Sequence, residues 1–298
     1  MTEPDTTFDS TAELLGRITA QLGDQLSHLP PTRTGRPMNR PPSRPTSRSG
    51  GTPGGAPTLI AVGHGSRDPR ARATLALLLD RVRELRPGLD IRLAHIELNA
   101  PLLTDTLARH PGGDAVLVPL LFGRGYHVKH DLPAAAAAAP AVRTRIAAPL
   151  GAHPLLVEAL ADRLAEAGWT SADSASRSTG VVLAAAGSRD PESLADIRRT
   201  AALLGERLGG VPVVPAYASA SAPTVPEALR TLASRGRHRI AVASCFTAPG
   251  LFATRATAHA PWIASAPLGA HPALARLVLH RYDQAVALLG SRQELMSA

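Results

Sequence analysis

Two stretches decide the fold: "LIAVGHGSRDPR" (Leu59–Arg70) and "VVLAAAGSRDPE" (Val181–Glu192). Each opens with a short continuous apolar run, the pattern of a strand buried on both faces. Each then turns at a glycine and reaches Ser-Arg-Asp-Pro. Asp before Pro at the head of an apolar-periodic segment marks a helix N-terminus, because the carboxylate caps and proline fits the first turn. Both stretches therefore predict a strand, a tight turn and a helix. They differ at the turn itself, where His64 in the first stands as Ala186 in the second.

The same alternation extends in both directions. Apolar runs predict strands over 58–62, 90–96, 114–121 and 143–148. Helical spacing predicts helices near 69–86, 100–110, 131–139 and 154–167. A polar segment, "TSADSASRST" (170–179), reads as a linker, and strands near 180–185, 211–217, 238–244 and 262–266 follow it with helices between. Strand–helix repetition at this spacing means parallel sheets covered by helices. The halves are also related to each other. "GSRDP" at 65–69 returns at 187–191, Asn99-Ala100-Pro101 returns as Ser221-Ala222-Pro223, and "PLGAHP" at 149–154 returns at 267–272. Such a long period means tandem domains and not a solenoid. The expected organisation is an α/β chain of two tandem flavodoxin-like domains, 58–169 and 180–290, with a tail at 291–298.

Residues 1–57 form an extension to this pattern. Ser10 to Leu29 carries Leu14, Ile18, Leu22 and Leu26 at helical spacing, with Ser10 and Glu13 placed as a capping box. Residues 30–57 hold eight prolines and five arginines with almost no aliphatic side chain, a composition that predicts disorder. The formal charge of +8 comes from a basic set in which Lys129 is the only lysine. Aromatics are 3% of the chain, too few for base-stacking platforms, so nucleic acid is not an expected partner. The apolar runs are too short to span a membrane, and the N-terminus lacks a signal-peptide pattern. A single cysteine, Cys245, rules out an internal disulfide and a cysteine-based zinc site. A cytoplasmic monomer is the expectation.

The duplication serves as an internal control. What both halves keep belongs to the scaffold: Ser66 and Asp68 return as Ser188 and Asp190, and His153 and His271 occupy identical "GAHP" segments as turn or cap residues. What only one half keeps is a candidate for chemistry. His64 stands against Ala186 and Glu97 against Ser219. Pairing "PLLFGRGYHVKHD" with the segment from 243 sets His127 against Phe252. All three polar groups follow the first three strands of the first half. The carboxyl ends of parallel strands face one crevice, where ligands bind. Two neutral imidazoles and a carboxylate there suit a divalent first-row metal.

Together, "VGHGSRDP", "HIELNAP", "VPLLFGRGYHVKHDLP" and "APLGAHP" resemble the sirohydrochlorin chelatase family of class II chelatases, over nearly all of 58–170 and more weakly over 180–289. The resemblance implies a lyase that inserts Fe²⁺ or Co²⁺, with Ni²⁺ also compatible, into a carboxylate-rich tetrapyrrole for siroheme or cobalamin biosynthesis, with no organic cofactor. It implies that His64 and His127 handle the metal beside Glu97, and that Arg67, Arg124 and Lys129, with Ser66 near them, meet substrate carboxylates. It assigns no role to His130. The second half lacks the three chemical groups, so one active site per chain is expected, with the second domain forming the opposite wall. Hydrolysis at Ser66 is disfavoured, since the Gly-x-Ser-x-Gly arrangement is absent and the serine persists where the histidine is lost. A histidine phosphatase is disfavoured because Gly63, not arginine, precedes His64. A metal or tetrapyrrole carrier is the non-enzymatic alternative.

Overall fold

The computed structural model describes residues 56–297, so the helix and disordered stretch expected before residue 56 lie outside the described residues. Strands β1 (Thr58–Gly63), β2 (Ile91–His95), β3 (Gly113–Pro119) and β4 (Val142–Ile146) form one parallel sheet in the order β2-β1-β3-β4. Strands β5 (Thr179–Ala185), β6 (Val213–Tyr217) and β7 (Arg239–Ser244) form a second, in the order β6-β5-β7. Every residue of β1 and β5 is buried, as their apolar runs require of central parallel strands.

The two "GSRDP" turns fold alike. Asp68 caps helix α1 (Pro69–Leu85) by accepting from the Arg70 amide at 2.9 Å, and Asp190 caps its counterpart from the Glu192 amide at 2.9 Å. Ser66 Oγ accepts from the Asp68 amide at 3.1 Å, and Ser188 Oγ does the same for Asp190 at 3.1 Å. Gly65 and Gly187 take φ of 112° and 97°, where a Cβ would lie 2.0 and 1.9 Å from the carbonyl oxygens of Glu97 and Ser219. Only glycine fits both the backbone angle and that approach. Each glycine thus lets the turn lie directly on the chain leaving the neighbouring strand.

After β2 come α2 (Leu103–Ala108) and β3, then a π-helical turn (His127–Asp131) that leads into α3 (Leu132–Ala137). The helix expected over 131–139 thus begins earlier and in a wider winding. Helix α4 (Pro154–Glu166) follows β4, and the expected linker contains a further short helix, α5 (Ser171–Ala175). Thr170 and Asp173 cap it reciprocally, a capping box inside the polar run. The second half continues with α6 (Pro191–Arg207), α7 (Val225–Ser234), α8 (Leu251–Thr257) and α9 (Pro272–Ser297). Residues 291–297, expected as a tail, are part of that last helix.

The strand expected over 262–266 reduces to one bridge, Val242 to Ala264. The Ser244 amide, which a longer ladder needs, donates instead to Ser265 Oγ at 2.9 Å. Pro261 and Pro267 bracket the segment and remove further donors.

The halves are not separate bodies. One core of buried residues runs from Leu59 through Leu160 and Leu204 to Leu277, while smaller clusters cover the outer faces of the two sheets. The last helix of each half packs on the other half: α4 lies against α6 and β7, and α9 lies against α1, α4 and β3. Arg163 on α4 donates to the Leu268 carbonyl through Nε at 3.1 Å and Nη2 at 2.7 Å. In return, Arg281 on α9 donates to the Gly151 carbonyl at 3.2 Å, and Asp283 pairs with Arg86 at 2.9 Å. Thr200, fully buried on α6, accepts from the Ala152 amide at 3.1 Å.

Candidate functional site

The carboxyl ends of both sheets open into one cleft of about 690 Å³, a size typical of small-molecule sites (~300–1,000 Å³). The first half contributes the loops after β1, β2 and β3, and the second contributes those after β5, β6 and β7.

The three residues singled out by the duplication all line this cleft. His64 Nδ1 lies 3.5 Å from Glu97 Oε1, with their side chains 44% and 51% exposed. The imidazoles of His64 and His127 meet edge to face, centroids 4.6 Å apart and planes at 86°. His64 is therefore the shared neighbour of the other two. Among the described residues no three His, Cys, Asp or Glu side chains converge closely enough to hold an ion, so the expected metal triad takes the form of two contacts sharing His64.

The pairing of the halves holds in the backbone. The Glu97 amide donates to the His64 carbonyl and the Ser219 amide to that of Ala186, both at 3.0 Å. The amides of Leu120 and Cys245 donate to Val62 and Ala184, both at 2.8 Å, which supports setting His127 against Phe252. Where the first half presents imidazole, the second presents Ala186 and Phe252.

Sequence reasoning missed three residues. Asp131 Oδ2 lies 2.5 Å from His127 Nδ1, one turn on along the π-helical winding. A carboxylate accepting from Nδ1–H leaves Nε2 with the lone pair that a metal needs. Arg72, exposed on the first turn of α1, also lines the cleft, and its counterpart is Leu194. His95 lines the cleft almost wholly buried, with no hydrogen-bond partner for Nδ1, and burial lowers its pKa. Only Asp131 left a sequence signal, its i,i+4 spacing from His127.

The expected substrate-binding cations separate into two groups. Arg67 lines the cleft without an ion-pair partner among the described residues. Arg124 and Lys129 are outside the lining residues and point to α6: Arg124 pairs with Asp196 at 2.9 Å, and Lys129 pairs with Asp190 at 2.7 Å and Glu192 at 2.8 Å. Both cations are thus engaged with carboxylates of the second half and do not line the cleft. Ser66 lines the cleft, but its hydroxyl is engaged in the turn at Asp68. His130 lies against Tyr126, centroids 4.6 Å apart and planes tilted by 35°.

His153 and His271 are caps. Nδ1 of each accepts from the amide two residues on, at 3.1 and 3.2 Å, and burial lowers both pKa values, that of His153 to about 4.

Four of the seven exposed large hydrophobic side chains among the described residues line the cleft: Leu98, Tyr126, Leu251 and Phe252. Solvent-facing apolar groups concentrated at one concave site mark a surface meant to be covered. Fold and site together define an α/β protein of two parallel sheets that share one asymmetric cleft, with His64, Glu97 and His127 on one wall and Ala186, Ser219 and Phe252 on the other. A family model described as CbiX matches residues 58–167 and 180–285, and the chain belongs to that family. A sirohydrochlorin cobaltochelatase of Priestia megaterium is 24% identical over 205 residues, spanning 66% of each chain. A sirohydrochlorin ferrochelatase of Bacillus subtilis is 27% identical over 181 residues, spanning 58% of this chain and 67% of its own. SirB from Bacillus subtilis with Fe³⁺ shares the fold at a TM-score of 0.64 and 24% identity, over 79% of this chain and 98% of that one.

Proposed function

We propose that the chain inserts a divalent metal, Fe²⁺ or Co²⁺, into sirohydrochlorin, on a single site carried by its first half. The observation that supports this most is the asymmetric cleft: His64, Glu97 and His127 on one wall, Ala186, Ser219 and Phe252 on the other. The relatives named as cobaltochelatase and ferrochelatase agree with it.

The chemistry follows from the side chains. A flat macrocycle fits between walls that present Tyr126 and Leu98 on one side and Leu251 and Phe252 on the other. Arg67 and Arg72 line the cleft without an ion-pair partner among the described residues and suit the carboxylates at its edge. The metal is a substrate, so it must be taken up and released. Nε2 of His127, with Nδ1 turned to Asp131, and the His64 imidazole beside it are the donors that would hand the ion on. As the metal enters, the macrocycle loses two pyrrole protons, and Glu97 and His64 stand 3.5 Å apart to accept and pass them. Imidazole and carboxylate donors suit Fe²⁺, Co²⁺ and Ni²⁺ alike. No described helix is long and apolar enough to cross a membrane, and the reading is of a cytoplasmic monomer whose two halves form the cleft.

The test is multiple turnover. With sirohydrochlorin and Co²⁺ in excess over protein, the absorbance should shift to that of the metallated product faster than in protein-free solution, through many turnovers per chain. A carrier would instead bind one equivalent and leave the spontaneous rate unchanged.

A further inference from the structure

The loop that brings His127 into the cleft is held by the half of the chain that lacks the chemical groups. Arg124 Nη2 lies 2.9 Å from Asp196 Oδ1, while Arg124 Nε and its backbone amide donate to Oδ2 at 3.2 and 3.3 Å. Five residues on, Lys129 Nζ lies between Asp190 Oδ2 and Glu192 Oε2, at 2.7 and 2.8 Å. His127 stands between these two anchors. The loop also approaches α6 and the turn before it through glycines: a Cβ on Gly123 would lie 2.3 Å from Ser193 Oγ on α6, and one on Gly125 3.3 Å from Ser188 Oγ in the turn.

The duplication shows that this arrangement is not part of the shared scaffold. In the first half the positions of Asp190, Glu192 and Asp196 are Asp68, Arg70 and Thr74. There Asp68 is satisfied within its own helix by Arg70, at 2.7 Å. In α6 that arginine is replaced by Glu192, which frees Asp190 for a cation from the other half. Thr74 becomes Asp196, which adds the second anchor. The reciprocal loop, which would lie on α1, has Pro249 and Thr254 where the His127 loop has Arg124 and Lys129. Cations and acids have thus both been placed on one side of the pseudo-twofold relation, around the loop that bears the histidine. The lone lysine of the chain is one of them.

We propose that Arg124 and Lys129 are positioning residues, and that Asp190, Glu192 and Asp196 of α6 clamp the 121–131 loop so that His127 is held against His64. This rests on the reading of the cleft as a metal-insertion site and gives the second half a role beyond forming a wall. An imidazole displaced by about 1 Å costs up to ~10²-fold in rate, and the ion pairs of Arg124 and Lys129, which flank it in the sequence on either side, limit that displacement. The loop carries Tyr126 as well as His127, but Leu98, Leu251, Phe252, Arg67 and Arg72 lie outside it, so loss of the clamp lowers turnover far more than binding of the tetrapyrrole.

The test uses Lys129→Met and Asp196→Asn, with Lys129→Arg as the conservative variant. Arg86→Gln is the control, since it removes an exposed ion pair of α1 and α9 remote from the cleft. Each is compared with the wild type in steady-state Co²⁺ insertion and in amide hydrogen exchange of residues 121–131, at matched thermal stability. The expected result is a kcat lowered about tenfold or more for Lys129→Met and Asp196→Asn, with KM for the tetrapyrrole within about twofold and exchange of the loop accelerated. Lys129→Arg recovers most of the rate, and Arg86→Gln changes neither readout. Unchanged kcat, or a raised KM at unchanged kcat, overturns the clamp; the latter assigns these cations to the substrate. If the wild type inserts no metal, the functional reading fails by itself, and loop exchange still decides: no acceleration in Lys129→Met and Asp196→Asn removes the clamp.

Discussion

At the scale of single residues, comparing one half with the other separates the candidate site residues from those that build both turns. His64, Glu97 and His127 could be singled out because each stands where the other half has Ala186, Ser219 or Phe252, and all three line the cleft. Ser66 was legible as scaffold because Ser188 repeats its hydrogen bond to the capping aspartate. The charged residues were harder. Arg124 and Lys129 have cleft-lining neighbours in the sequence, but their partners on α6 are more than sixty residues away, and no local pattern announces them. Arg72 was missed for the opposite reason, since a charged residue on the first exposed turn of a helix looks like any other solvated position. Of these four cations only Arg67 and Arg72 line the cleft, and the proposed function has them meet the anionic substrate. Arg72→Gln should therefore raise KM for the tetrapyrrole about three- to tenfold with kcat nearly unchanged. A fall in kcat at constant KM would place Arg72 in the chemistry instead.

At the scale of elements, the strand–helix alternation fixed the sheets, because continuous apolar runs and Asp-Pro helix starts are local signals. The exceptions have local causes that act through space. The segment at 262–266 has strand composition but gives its ladder position to the Ser265 hydroxyl, and the turn at His127 winds as a π-helix that the 3.6-residue period does not reveal. The paired histidine caps carry a prediction. Burial, with Arg281 and His280 adding to it, lowers the His153 imidazole to about 4, against ~6.5 in an unfolded chain. Between those values the unfolded state binds more protons, so the contribution is complete above about 6.5 and is lost as pH falls towards 4. The melting temperature should decline over that window, and His153→Asn, a capping side chain that does not titrate, should flatten the decline. His271 shifts in the same direction, so part of the slope remains. Identical slopes in wild type and variant would contradict the assignment.

At the scale of the whole molecule, the sequence divides the chain at a polar linker, whereas packing joins it: each half lends its last helix to the other, and the buried core is continuous across them. That exchange leaves no local signature, since an amphipathic helix reads the same whichever sheet it covers. A fragment of residues 56–170 keeps α4 but loses α6 and β7, against which α4 packs. It should fail to give a folded monomer in sedimentation and thermal unfolding, while the full chain unfolds in one transition; a cooperative monomeric fragment would show that the halves are independent. Trp169 and Trp262, with ring centroids 5.8 Å apart across the halves, make fluorescence a direct probe of that transition. The same joining sets the imidazoles of one half against the apolar wall of the other, and this asymmetry is the central claim. Its most direct test is the initial rate of Co²⁺ insertion into sirohydrochlorin by His64→Ala beside the wild type, at equal circular dichroism. The account predicts a loss of about 10²-fold or more, and an equal loss for His127→Ala. Wild-type rates in a folded His64→Ala chain would contradict it.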